Sequence, residues 1–310
     1  MQFRRNEYDV TDRVHLRKPE TVFTEVSTIM SDFCTDAMCN KVHLAFQNLA
    51  TMYKGRLNGF QPCDVPYHDL QHIMDVTLTT ARLLAGFEHA QRPGKRLGPN
   101  RIMLGIILAL YHDCGYIRDI HKDEYDNGAE YTQTHITRGA NYLREYLPTL
   151  GLGNYTDLMD NLIHYTGYEK PIEKIRLDDP RDMVLGFLVG SADLLAQMSD
   201  RCYLEKCRDR LYPEFVLGGM ARKAEANGTQ TIIYGSAEEL LRKTPQFYQR
   251  MVRPRLEQKF HNVGGFAAHY FAGQNLYQEE IDRNLAYLEL MIEENDFSML
   301  RRQLPDTPEA

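Results

Sequence analysis

Five stretches of the 310-residue chain carry histidines and aspartates at spacings that could bind metal ions or move protons. The first is YHDLQHIMD, Tyr67 to Asp75. His68 and His72 are four residues apart and share one face of a helix, with Asp75 close to His72. Such a pair can serve one ion, or one histidine can bind while the other transfers a proton. On an exposed helix it would be no more than a polar patch. The second stretch is LALYHDCGY, where His112-Asp113 ends an apolar run. Burying two ionisable groups beside Ile106, Ile107 and Leu110 is costly without compensation. A cation would supply it, and Asp113 could give one oxygen to each of two cations. The competing reading has His112 capping a helix C-terminus and Asp113 in solvent. In the third stretch, GSADLLAQ, Asp193 follows an apolar segment and needs a partner, either a cation site or an arginine such as Arg201. His135 in THITRGANYL and His164 in NLIHYTGY are, taken singly, ordinary packing histidines. Their weight comes from order and position.

The elements that must position these groups read as helices. Apolar residues recur at helical spacing from Glu20 to Tyr53, and a loop marked by Gly55, Gly59 and Pro62 follows. A helix is expected over Pro66 to Phe87, with Pro66 in its first turn. After a Pro/Gly loop, Asn100 is placed to cap the next helix, which reaches about His112. Gly115 interrupts it, and Arg118 to Gly128 reads as a loop over the site. Further helices are expected at Thr134–Tyr146, Tyr155–Tyr165, Pro180–Ser199, Arg201–Leu211, Thr244–Phe260 and Glu279–Asn295. Thr231 to Tyr234 could form a short strand within an irregular stretch from Gly218 to Gly235. The fold class is therefore all-α, a single compact helical bundle. Within it, 1–60 is an N-terminal helical segment, 61–260 carries the candidate site, and 261–310 is a helical extension. The tail from Pro305 reads as mobile.

Composition bounds the function. Hydrophobic residues make up 43%, enough for a sizeable core. A net charge of −7 disfavours binding to nucleic-acid duplexes. An anionic substrate stays open, because bound metal ions reverse the local field. The longest apolar run, Ile102 to Tyr111, is half the roughly twenty residues that span a bilayer. The six cysteines form no CxxC pair and read as reduced thiols. With no apolar leader in MQFRRNEYDV, a cytoplasmic protein is expected. No GxGxxG or Walker loop is present.

The ordered set His72, His112-Asp113, His135, His164 and Asp193, each in a separate expected helix, resembles the HD superfamily of metal-dependent phosphohydrolases. A narrower resemblance is to the class I 3′,5′-cyclic nucleotide phosphodiesterases. VPYHDLQHIMDV is similar to their YHNxxHAxDV signature, SADLLAQMSDRCYLEKCRDRLYPEF to the segment after their metal-binding Asp, and TPQFYQRMVRPRLE to their C-terminal helix, with Phe247 and Pro254 seven apart. The resemblance implies a first metal on His72, His112, Asp113 and Asp193. Asp113 would bridge to a second, completed by His135 and His164. His68 would be the general acid and a hydroxide between the metals the nucleophile. Tyr67, Gln246 and Phe247 would contact substrate. The implied cofactors are two divalent ions, Mn, Fe, Zn or Mg. The implied partner is a small-molecule phosphoester or nucleotide, and a homodimer is compatible.

This chain departs from the family pattern in three places. Asp69 replaces an Asn, Cys114-Gly115-Tyr116 lacks the family's further His, and Thr244 stands where the base-gripping Gln belongs. Two other functions share the ligand set. One is a di-iron oxygenase cleaving a C–C or C–P bond, and the other is a non-catalytic helical binding protein.

Overall fold

A computed structural model describes residues 4–224 and 230–304. The chain folds into helices: α1 (Pro19–Ser31), α2 (Asp36–Tyr53), α3 (Leu70–Ala90), α4 (Pro99–Tyr111), α5 (His135–Tyr146), α6 (Thr156–Leu162), α7 (Pro180–Ser199), α8 (Tyr203–Lys206), α9 (Tyr212–Leu217), α10 (Ala237–Phe247), α11 (Ala267–Tyr270) and α12 (Leu276–Glu294). Wider helical turns join α8 to α9 and extend α10 to Lys259. Strands β1 (Arg222–Ala224) and β2 (Gln230–Ile232) pair antiparallel, so the expected short strand lies slightly earlier and has a partner.

The bundle is built around α3. Every residue from Leu70 to Glu88 is buried, the mark of a helix covered on all sides. It packs against α1, α4, α7 and α11. Helix α4, more apolar than α3, is buried from Ile102 to Tyr111. One main core runs from Val14 to Leu300 and draws on all three ranges of the sequence reading.

Several expected boundaries move. The helical stretch from Glu20 to Tyr53 is two helices, broken between Ser31 and Asp36. α3 begins four residues after Pro66, because Asp69 caps it by accepting from the His72 N–H at 3.0 Å. Asn100 caps nothing: α4 starts at Pro99, and Gly98 turns into it with φ +83°. Residues 225–229 of the expected irregular stretch and the tail from Pro305 lie outside the described residues.

Candidate metal centre

Each side chain of the centre is placed by a local device. The Asp69 cap fixes the first turn of α3 and hence His72. The other Asp69 oxygen takes Arg210 Nη1 at 2.9 Å, an ion pair that an Asn there would weaken. His112 follows the last residue of α4, and its Nδ1 donates to the Ala109 carbonyl at 2.8 Å. His135 opens α5, and its Nδ1 donates to the Thr132 carbonyl at 2.7 Å. In both rings Nδ1 therefore carries a proton and Nε2 faces the centre, the nitrogen that binds a metal once it is deprotonated. Gly115 lets α5 approach the His-Asp turn. A Cβ there would lie 1.8 Å from the His135 carbonyl oxygen. Asp193 sits within α7 and faces the start of α3.

The convergence is tight. His72 Nε2 lies 3.4 Å from Asp113 Oδ2 and 3.3 Å from Asp193 Oδ1. His112 Nε2 lies 3.0 Å from Asp113 Oδ2 and 3.7 Å from Asp193 Oδ1. Asp113 Oδ1 is 3.5 Å from His135 Nε2. His72 Nε2, His112 Nε2 and Asp113 Oδ2 are buried and make no hydrogen bond, although they face one another. Donors around a single ion, each about 2.0–2.2 Å from it, stand roughly 3–3.5 Å apart. The spacings here match, and the orphaned atoms are those a cation would satisfy. The residues present therefore fit a divalent metal.

Electrostatics agree. Burial alone would lower the His72 pKa, but the Asp113 and Asp193 carboxylates push it up to about 10. Burial would raise the Asp113 pKa, yet His112 and His68 hold it well below the carboxylate range. Without an ion, the cluster keeps its charge only by placing protons on imidazoles that a metal would displace.

The centre opens into a cavity of about 460 Å³ whose wall includes His68, Asp113, Tyr116, His135 and Asp193. His68 Nδ1 is hydrogen-bonded to Glu214 Oε1, and Glu214 is fully buried. Burial would lower the His68 pKa, but the Glu214 and Asp113 charges raise it. Tyr116 stacks between two histidine rings. Its ring lies 4.6 Å from that of His68 and 4.4 Å from that of His135.

The other expected site residues divide. Phe247 lines the cavity. Gln246 is exposed and accepts from Arg250, so Thr244 and Lys243 form the wall there instead. Tyr67 is buried beside His68 and His72 and gives its N–H to Glu214 Oε2 at 2.8 Å. It supports the site and does not line the cavity. His164 stands apart. It is half-buried outside the cavity wall, and burial lowers its pKa, with Lys170, Glu169 and Asp160 as the charges acting on it. Arg201 donates to Asn6 Oδ1, and Asp193 faces the histidines. The loop from Arg118 is tied to Asp64 and to the Tyr125 carbonyl and contributes nothing to the cavity wall.

Glu214, which bonds His68, and Arg255, which lines the cavity, went unnoticed in the sequence, and Tyr116 was noted there only as a departure from the family pattern. The only hint of Glu214 was its place in RLYPEF. A groove of about 840 Å³ beside the β1–β2 pair contains none of the cluster. No helix among the described residues is long and apolar enough to cross a membrane.

No family model and no curated protein matches the chain by sequence. Among solved structures it is similar to the phosphodiesterase domain of the RhoPDE fusion protein from the choanoflagellate Salpingoeca rosetta. The TM-score is 0.58 at 17% identity, over 94% of this chain and 96% of that one. The chain thus has the helical fold of a phosphodiesterase domain.

Proposed function

We propose that the protein is a divalent-metal-dependent phosphodiesterase acting on a cyclic nucleotide or a related nucleotide phosphodiester. One observation carries this reading. An imidazole held by a buried carboxylate, His68 on Glu214, lines the same cavity as the histidine–aspartate cluster. His72, His112, Asp113 and Asp193 would hold one ion, and Asp113 with His135 would begin a second site. His164 joins that second site only if a ligand draws it in; otherwise solvent completes it. Divalent ions supply charge neutralisation at phosphoryl oxygens and lower the pKa of water.

The chain's own residues then have separate tasks. Glu214 takes the Nδ1 side of His68, so Nε2 is left to donate into the cavity. The carboxylate raises the His68 pKa, and the ring stays protonated further into the neutral range. A protonated imidazole there can deliver its proton to the leaving oxygen of a phosphodiester. Phe247 and Tyr168 give the wall the flat apolar surface that a base or ribose would cover.

The test is hydrolysis of cyclic mononucleotides, cyclic dinucleotides, nucleoside monophosphates and bis(p-nitrophenyl) phosphate by protein loaded separately with Mn, Fe, Zn or Mg. Turnover of diesters ahead of monoesters supports the reading. Inert diesters, together with oxygen uptake by the iron-loaded protein, would replace it with oxygenase chemistry.

A further inference from the structure

The cavity wall holds a buried cation with no carboxylate in ion-pair contact among the described residues. Apart from histidines, its cationic side chains are Lys243 and Arg255. Lys243 is paired, with Nζ 2.5 Å from Glu239 Oε1 and 2.6 Å from the Ile233 carbonyl. Arg255 is only 8% exposed. Its Nη2 donates to the carbonyls of Tyr165 and Gly167 at 2.9 and 2.7 Å. Its guanidinium lies 4.3 Å from the centre of the Tyr168 ring and 5.0 Å from that of Phe260. These are dipoles and ring faces, not charges.

The nearby acids are engaged elsewhere. Glu173 pairs with Lys259, and Glu257 with Arg253. Glu169 caps α5, accepting from Ile136 N–H at 2.7 Å and from the Thr137 hydroxyl at 2.6 Å. Asp193 is directed at His72 and His112. Among the described residues no carboxylate forms an ion pair with Arg255.

Asp193 and Glu173 act on Arg255 only from a distance, and a buried guanidinium with no carboxylate in contact is costly unless something arrives to balance it. Its planar fork suits two oxygens of a phosphate. In the neighbouring wall the Thr244 hydroxyl is already donated to the Leu240 carbonyl at 2.9 Å and has no proton to offer a base edge. We infer that the substrate carries a second anionic group, a phosphate monoester, beside its scissile diester, and that Arg255 binds it. This inference rests on the phosphodiesterase reading and narrows its substrate class to phosphorylated nucleotide diesters.

The test uses Mn²⁺-loaded full-length protein and a matched pair, thymidine 5′-(p-nitrophenyl phosphate) with and without a 3′-phosphate. Release of p-nitrophenol gives kcat/KM, and calorimetry gives Kd. The 3′-phosphorylated ester is expected to be favoured by about tenfold or more, the size of one charge-assisted hydrogen bond. Arg255→Gln should erase the preference while both esters keep similar residual turnover. Arg255→Lys, which keeps the charge but loses the fork, should reduce it. Equal handling of the two esters by the wild type overturns the inference, whatever the variants do. So does an Arg255→Gln variant that slows both esters by one factor, because that marks a structural role. If Arg255→Gln does not fold, the Lys variant decides: an undiminished preference there overturns the assignment. If neither ester is cleaved, the phosphodiesterase reading falls and the Kd ratio still decides whether the second phosphate is bound.

Discussion

Asp9 and Asp113 are both buried carboxylates, 1% and 4% exposed, and they are accommodated on opposite terms. Asp9 is saturated. Oδ1 accepts from the N–H groups of Arg13 and Val14, and Oδ2 from Thr11 and from Arg82 Nη2 at 2.6 Å. Arg82 also reaches the Tyr277 hydroxyl at 3.1 Å, so the cluster ties the N-terminal segment to α3 and α12. Asp113 has histidines close by and a buried oxygen with no hydrogen bond. A carboxylate that serves the fold is fully bonded by the fold. One that serves a ligand is left unbonded until the ligand arrives.

The sharpest way to break this contrast is to remove each charge. Asp113→Asn should abolish diester hydrolysis and metal uptake while costing the metal-free protein less stability than Asp9→Asn does, because the histidines facing Asp113 can release their protons. Asp9→Asn should cost about 3–5 kcal/mol in a denaturant titration, because it leaves Arg82 buried and unpaired, with metal content intact. A metal-free Asp113→Asn that melts as badly as Asp9→Asn would erase the distinction.

His68→Gln should retain metal, measured by elemental analysis, and lose about 10²–10⁴-fold in kcat. In Glu214→Gln the charge that raises the His68 pKa is gone. The ring then deprotonates at lower pH, and the alkaline fall of kcat/KM should move down the pH axis. A limb that stays put would remove His68 as the acid.

A smaller effect separates the two intermediate histidines. His135→Ala should remove one metal equivalent, since Nε2 faces Asp113 Oδ1. His164→Ala should remove none, and loss of metal in that variant would return it to the ligand set.

The smallest effect concerns Asp75. Burial pushes its carboxyl up to about 7, with Asp200 and Asp9 adding to the shift and Arg4 and Lys206 opposing it. The folded state holds this proton after the unfolded chain has released it, so the group costs stability as pH rises from about 4 to 7. Asp75→Asn should therefore gain on the wild type in thermal melts across that window. A constant offset would place the titration elsewhere.

Much of this was legible in the sequence, for a definite reason. A His-Asp pair at the end of the Ile102–Tyr111 run and an Asp within the α7 apolar stretch are violations of burial, and such violations mark sites. The nearness of His68 to His72 was readable but not its cause, since His68 precedes α3 and the two do not share a helix face. Glu214 was not readable, since nothing local in Tyr-Pro-Glu-Phe tells a carboxylate that reaches His68, 146 residues away, from one in solvent. His164 looked like a ligand because of its place in an ordered list. Its short helical turn, Ile163–Tyr165, sets it among Lys170, Glu169 and Asp160, with Nδ1 buried and without a hydrogen bond. The helix starts at Leu70 and Pro99 were missed where Asp69 and Gly98 overrode the nearby Pro66 and Asn100.

The most direct test is calorimetric titration of metal-free wild-type protein and Asp113→Asn with Mn²⁺ at neutral pH. The wild type should bind saturably and release protons, as imidazoles at His72 and His112 give way to the ion, and the variant should lose that binding. Identical isotherms for the two proteins would mean that these side chains converge for some purpose other than holding a metal.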